Sequence, residues 1–403
     1  MESKLKQLSG TVDNLQEKIN RLESLVSKQA EIIESLSGKT VLPAAALATK
    51  VEELESQVQE LSDRPVAQTK VVQLPGWLQN TRFGGSLRLR WHHQNRDRAD
   101  DEDVDRDRFR ARVRLYLAKQ FRGNIDLGIR MTTDTHTIDD QMAESNLETY
   151  LDRFYVRWAP KDWVTLWFGG FGALLSDSEL VVHTGNVYTG AVQHLHKQSG
   201  NITYNLYLGE LMVNERGWSG SVQDDLYLLG AKAGVTVETA SWNLTFNVAY
   251  FDWSKNITRD PLDDDPSGNY HTNGVRIHDY DVISPYLGID GKIAGVPVNF
   301  YANFANNLAT GRKNSAWEVG TVIGRTKNKG DWLFAGFYRL VEANSLVDVF
   351  SDYGETNRKG WAAKIEYTIL PKWTIEFQTE LNEEIFGPRD KMTGYRLQST
   401  IKF

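Results

Sequence analysis

From Arg82 to the end of the chain, apolar and polar residues alternate with a period of two. That is the period of a strand with one face in an apolar medium and one in water. Leu87, Leu89 and Trp91 alternate with Arg88, Arg90 and His92, and Phe109, Ala111, Val113, Leu115 and Leu117 with Arg110, Arg112, Arg114 and Tyr116. Further on, Ile125, Leu127 and Ile129 alternate with Asp126 and Arg130, and Phe154, Val156 and Trp158 with Arg153, Tyr155 and Arg157. Residues 395–403 close the chain in the same way, with Tyr395, Leu397, Ser399, Ile401 and Phe403 against Arg396, Gln398, Thr400 and Lys402. One such segment would suit the edge of a soluble sheet. Repeated in strands of about ten to fourteen residues, well beyond the soluble mode of five or six, it predicts a barrel wall between lipid and water.

The connections give the strand count. Short turns fall at 122–124, 160–162, 198–200, 239–240, 294–295, 328–330 and 371–372. Longer polar connections alternate with them at 97–106, 135–149, 172–188, 212–224, 254–279, 307–314, 343–357 and 384–391. Seven short turns and eight long loops join sixteen antiparallel strands with both termini on the short-turn rim, as a bacterial outer-membrane barrel requires. Sixteen strands leave an aqueous channel inside the barrel. Trp91, Trp158, Trp163, Trp253, Trp332, Trp361 and Trp373 sit near strand ends, where interface girdles belong.

Ahead of the barrel the period is different. Leu5, Leu8, Val12, Leu15, Ile19, Leu22, Val26, Gln29, Ile33 and Leu36 alternate spacings of three and four, the heptad pattern of a left-handed coiled coil. The pattern breaks near 38–46, at Ser37-Gly38 and Pro43, and resumes out of phase at Leu47, Val51, Leu54, Val58 and Leu61. The expected organisation is a coiled-coil stalk at 1–63, a linker at 64–81 with Pro65 and Pro75, and an all-β transmembrane barrel at 82–403.

Composition adds three constraints. No run of 18 or more apolar residues exists, which excludes a membrane-spanning helix and leaves a barrel untouched. A formal charge of −7 argues against nucleic acid as a partner. The absence of Cys excludes disulfides and thiolate metal sites. A barrel must be exported, yet Met1 is followed at once by charged helix-forming sequence. The expectation is that a signal peptide has been removed and a start Met supplied.

The stretch 82–121, RFGGSLRLRWHHQN…DRFRARVRLYLAKQF, followed by LDRFYVRWAP at 151–160, resembles the "putative porin" family of Gram-negative outer membranes. The final strand, with its aromatic end, resembles the signal by which such barrels are recognised for assembly. A coiled coil ahead of the barrel resembles the porins that tether the outer membrane to the cell wall. The resemblance implies a diffusion porin in the outer membrane with its stalk in the periplasm. It further implies outer-membrane lipid around the wall, a homotrimer, and a cell-wall or periplasmic partner for the coil. Val12/Leu15 and Ile19/Leu22, with β-branched residues before Leu, lean instead toward two strands in an isolated coil.

The strongest chemical constellation is a ladder of eight arginines on the expected inner face of the first four strands: Arg88, Arg90, Arg110, Arg112, Arg114, Arg130, Arg153 and Arg157. Charge lining a pore sets ion selectivity, because narrow walls concentrate the field. Pairing with loop carboxylates, merely keeping the lumen wet, is the plainer reading. The third long loop carries Asp177 and Glu179 and resembles by position the inward-folded constriction loop of general porins. Arginines facing these carboxylates would give a transverse field and a modest net ion preference. Asp100, Asp101, Asp103, Asp105 and Asp263, Asp264, Asp265 offer oxygen ligands without an EF-hand spacing, so solvated loop charge is the better reading. His194 and His196 fall on one side of a strand. With no nucleophile elbow, phosphate loop or HExxH pattern, no catalytic residue, metal or cofactor is expected. A structural tether, or a sheath around another protein, remains the alternative to a channel.

Overall fold

The computed structural model describes residues 78–98, 103–133, 136–137, 149–183, 185–214, 225–254, 268–272, 275–351, 356–387 and 390–403. The heptad segments and nearly all of the expected linker lie outside them. Sixteen long strands build the wall: β1 Thr81–Asp97, β2 Val104–Phe121, β3 Ile125–Thr133, β4 Thr149–Lys161, β5 Val164–Gly172, β6 Val187–Ser199, β7 Ile202–Asn214 and β8 Leu226–Glu238. They continue as β9 Trp242–Trp253, β10 Asp281–Ile293, β11 Val296–Asn307, β12 Ser315–Gly324, β13 Trp332–Val341, β14 Arg358–Leu370, β15 Trp373–Glu384 and β16 Lys391–Lys402. Each pairs antiparallel with the next. A two-residue strand, His136–Thr137, adds to β2 beyond the end of β3.

The sheet closes on itself. β16 pairs with β1 in an unbroken register from Ser86↔Lys402 to Asp97↔Lys391. Phe403 seals the seam, its backbone N–H donating to the Gly85 carbonyl at 3.0 Å and its carbonyl accepting from the Gly85 N–H at 3.0 Å. Closure satisfies the backbone groups that an open edge would expose to lipid, where each costs several kcal/mol. The chain's aromatic end is therefore a joint in the wall.

All seven short turns and eight long loops fall where the alternation places them. Leu89, Phe109 and Leu115 are 47%, 53% and 50% exposed on the outer face, while the arginines between them turn inward. The tight turn between β10 and β11 has Ala294 at φ 50° and Gly295 at φ 81°, the two left-handed positions that match strand twist.

One girdle assignment is corrected. Trp253 is 1% exposed and points inside, stacked on Phe350 at 4.6 Å between centroids. The reason is a hydrophobic core inside the barrel mouth. Phe171, Tyr188, Val192, Leu211, Leu228, Phe251, Val282, Ala305, Ala316 and Val341 give β5–β13 an apolar inner surface. Leu175, Leu180, Val181 and Val182 of the third long loop pack there, with Tyr280 of the fifth and Leu346 and Val347 of the seventh.

Candidate functional site in the barrel lumen

The eight arginines occupy one sector of the inner wall, and the ladder register brings them together. Arg88 lies directly opposite Arg112, and Arg90 opposite Arg110, across β1 and β2. Arg130 lies opposite Arg153 across β3 and β4. The basic sector continues across the closing seam, where Arg90 donates to Gln398 Oε1 at 2.9 and 2.8 Å and Arg396 of β16 sits 3.3 Å from Glu380. Arg108 belongs to the same ladder, bonded to His92 and Gln94, and continues the even-numbered series of β2.

Two carboxylates are set into this wall. Asp126 pairs with Arg157 at 2.8 Å. Asp152 takes Arg130 Nε at 2.7 Å and lies 4.0 Å from Arg114. Strict alternation would place Asp152 outside, since Phe154 and Val156 face outward. A bulge breaks the rule: the register passes from Arg130↔Arg153 to Met131↔Leu151, so Asp152 is the unpaired extra residue. Asp152 and Arg153 then share the lumen face. No signal in the residue pattern marks the bulge.

The third long loop, which carries Asp177 and Glu179, packs against the inner face of the barrel. Its first anchor is steric. Leu175 sits over Gly209 and Gly230, which face each other across β7 and β8, and a Cβ on Gly230 would overlap the Leu175 side chain. Its second anchor is ionic: Lys232 Nζ lies 2.9 Å from Asp177 Oδ1, with the Lys232 side chain 8% exposed. Lys232 also lies 4.7 Å from the Tyr207 ring centroid, and His194 stacks on the same ring at 4.0 Å. His196 stacks on His194 at 5.0 Å, so the pair does share one face. Next along, Asn303 donates to Ser178 Oγ at 2.8 Å, and Glu179 pairs with His183 at 3.2 Å. Asp177 therefore spends its charge on β8, away from the arginine strands.

The seventh loop locks the third in place. His183 N and Asn186 Nδ2 donate to the Phe350 carbonyl at 2.6 and 3.3 Å, and Ser351 Oγ donates to the Leu180 carbonyl at 2.9 Å. Behind them, Arg276 and Asp348 form an ion pair whose side chains are 0% exposed. Asn269 completes it, donating to the Ala343 and Leu346 carbonyls at 2.7 and 2.8 Å and accepting from Arg276 Nε at 2.9 Å. Burial, and then the Asp348 carboxylate, push the Tyr280 phenol well above its ordinary range and keep it neutral. The apolar runs 226–229 and 249–251, which lack alternation, are the sequence trace of this knot.

Among the described residues, no three His, Cys, Asp or Glu side chains converge as metal ligands. Asp100, Asp101 and Asp263–Asp265 lie outside them, and Asp105 faces His93 at 3.5 Å.

A closed sixteen-stranded antiparallel barrel with a charged inner sector and an inward-folded third loop defines a porin-like outer-membrane fold. A family profile described as "Putative porin" matches residues 94–285. Solved structures share the architecture. The high-pH structure of Pseudomonas putida OprB is 12% identical with a TM-score of 0.54, over 80% of this chain and 94% of that one. A Salmonella typhi OmpF complex with daunomycin is 10% identical with a TM-score of 0.50, over 80% of this chain and 97% of that one. No curated protein matches the chain.

Proposed function

We propose that the barrel is a porin of the outer membrane: a water-filled diffusion channel for small hydrophilic solutes and ions, and not an enzyme. The observation that carries this reading is the asymmetric lumen. Loops fill the mouth against the apolar inner face of β5–β13, while β1–β4 present eight arginines together with Asp126 and Asp152, a charged surface suited to water and not to an apolar filling. The permeation path runs along the charged sector. Arg88, Arg90, Arg110, Arg112, Arg114, Arg130, Arg153 and Arg157 line it, and the loop bearing Asp177 and Glu179 forms the constriction. Asp126 and Asp152 offset part of the basic charge, which leaves the sector positive and favours anions within it.

The heptads support a periplasmic stalk at 1–63 joined through a linker at 64–81 to the barrel at 82–403. The stalk would serve as a trimerisation or envelope-tethering element. Liposomes reconstituted with the full chain should swell in isotonic arabinose and more slowly in larger sugars. Liposomes that keep their volume in every sugar would contradict the channel reading.

A further inference from the structure

Beside Glu179 of the third loop, on the inner wall of β11–β15, lies a cavity of about 210 Å³ lined by Glu179, Tyr301, Glu318, Phe337, Lys364 and Gln378, the last of these directly opposite Arg396 of β16. Drug-sized sites run about 300–1,000 Å³, so this one suits a single small ring. We propose that it is a subsite for one neutral sugar ring, a stop on the permeation path. The inference rests on the channel reading above.

Three observations carry it. The first is a flattened aromatic ring. Tyr301 lies opposite Gly320 across β11 and β12, and a Cβ on Gly320 would overlap the Tyr301 ring and hydroxyl. The glycine gives the ring room to lie along the wall, where it lines the cavity. Tyr286 runs nearly parallel to it, with an interplanar angle of 21° and centroids 6.2 Å apart, and buttresses the ring. The C–H face of a pyranose is apolar and covers such a ring, whereas an open-chain polyol has no face to offer.

The second observation is a donor waiting for an acceptor. Gln378 is 5% exposed, and its Nε2 has no hydrogen-bond partner within the protein although it lines the cavity. A buried amide donor without a partner is costly, and a sugar hydroxyl would satisfy it.

The third is charge balance. Glu318 is held by Arg339 at 2.7 Å, and Lys364 faces Glu376 at 3.4 Å. The cations are matched by these carboxylates, and Glu179 adds a further negative charge. The cavity therefore disfavours anions and offers paired charged groups as hydrogen-bond partners for hydroxyls. Anions find their partners on the arginine sector instead.

The test compares D-glucose with sorbitol on single channels of the full chain in planar bilayers. Both are six-carbon polyhydroxy compounds of nearly equal mass, with five hydroxyls on cyclic glucose and six on sorbitol, but only glucose has a closed ring. Glucose should add concentration-dependent current noise, and sorbitol should only lower conductance through viscosity. Tyr301→Ala should weaken the glucose effect roughly two- to tenfold, the range of one aromatic contact, and Tyr301→Phe should retain most of it. Gln378→Ala gives an independent variant should Tyr301→Ala fail to assemble, and it too should weaken the effect. A channel that conducts ions yet treats both solutes alike overturns the subsite and leaves the channel reading standing. So does glucose noise unchanged in Tyr301→Ala and Gln378→Ala. A protein that never conducts overturns both.

Discussion

Arg110, Arg112 and Arg114 stand in a row on β2 with Arg88 and Arg90 opposite the first two, and like charges so placed repel unless water or counter-ions intervene. Charges in a narrow pore are screened less than those on a surface, so point changes register at moderate salt. Replacing the three β2 arginines together by Ala should shift the zero-current potential toward cation preference. Asp177→Ala with Glu179→Ala should shift it toward anion preference, with added force because Lys232 loses its partner. Two sets of variants with wild-type potentials would remove these residues from the constriction. The ladder was legible because strict alternation places each of these arginines on one face. Asp152 was not, because a bulge moves a side chain across the wall without leaving a mark in composition.

At the scale of elements, the wall and the loops differ in what the sequence discloses. A strand crossing a membrane must alternate, so its face and its ends can be read directly. The loop knot depends on contacts between segments far apart in the chain, such as Asn269 with Leu346 and Ser351 with Leu180. The sequence shows these loops only as polar connections, and Trp253, at a strand end, looks like a girdle residue until the loop packing is seen. Asp348→Ala would leave the Arg276 guanidinium buried without its carboxylate, a loss of roughly 3–5 kcal/mol in comparable sites. The barrel's own hydrogen bonds are untouched. The variant should therefore keep its heat-modifiable mobility on gels while its third and seventh loops become open to protease. Protease resistance equal to wild type would show that the ion pair does not hold the knot.

For the whole molecule, sixteen strands followed from counting turns, and closure followed from the impossibility of an open edge in lipid. The heptad segments lie outside the described residues. A trimer held by the coil predicts that channels insert three at a time. Single-channel recording of the full chain in planar bilayers reads directly whether an open, water-filled pore runs along the arginine sector. An open pore should give discrete, ohmic conductance steps whose anion preference weakens as salt rises. Stable insertion without any conductance step would contradict it.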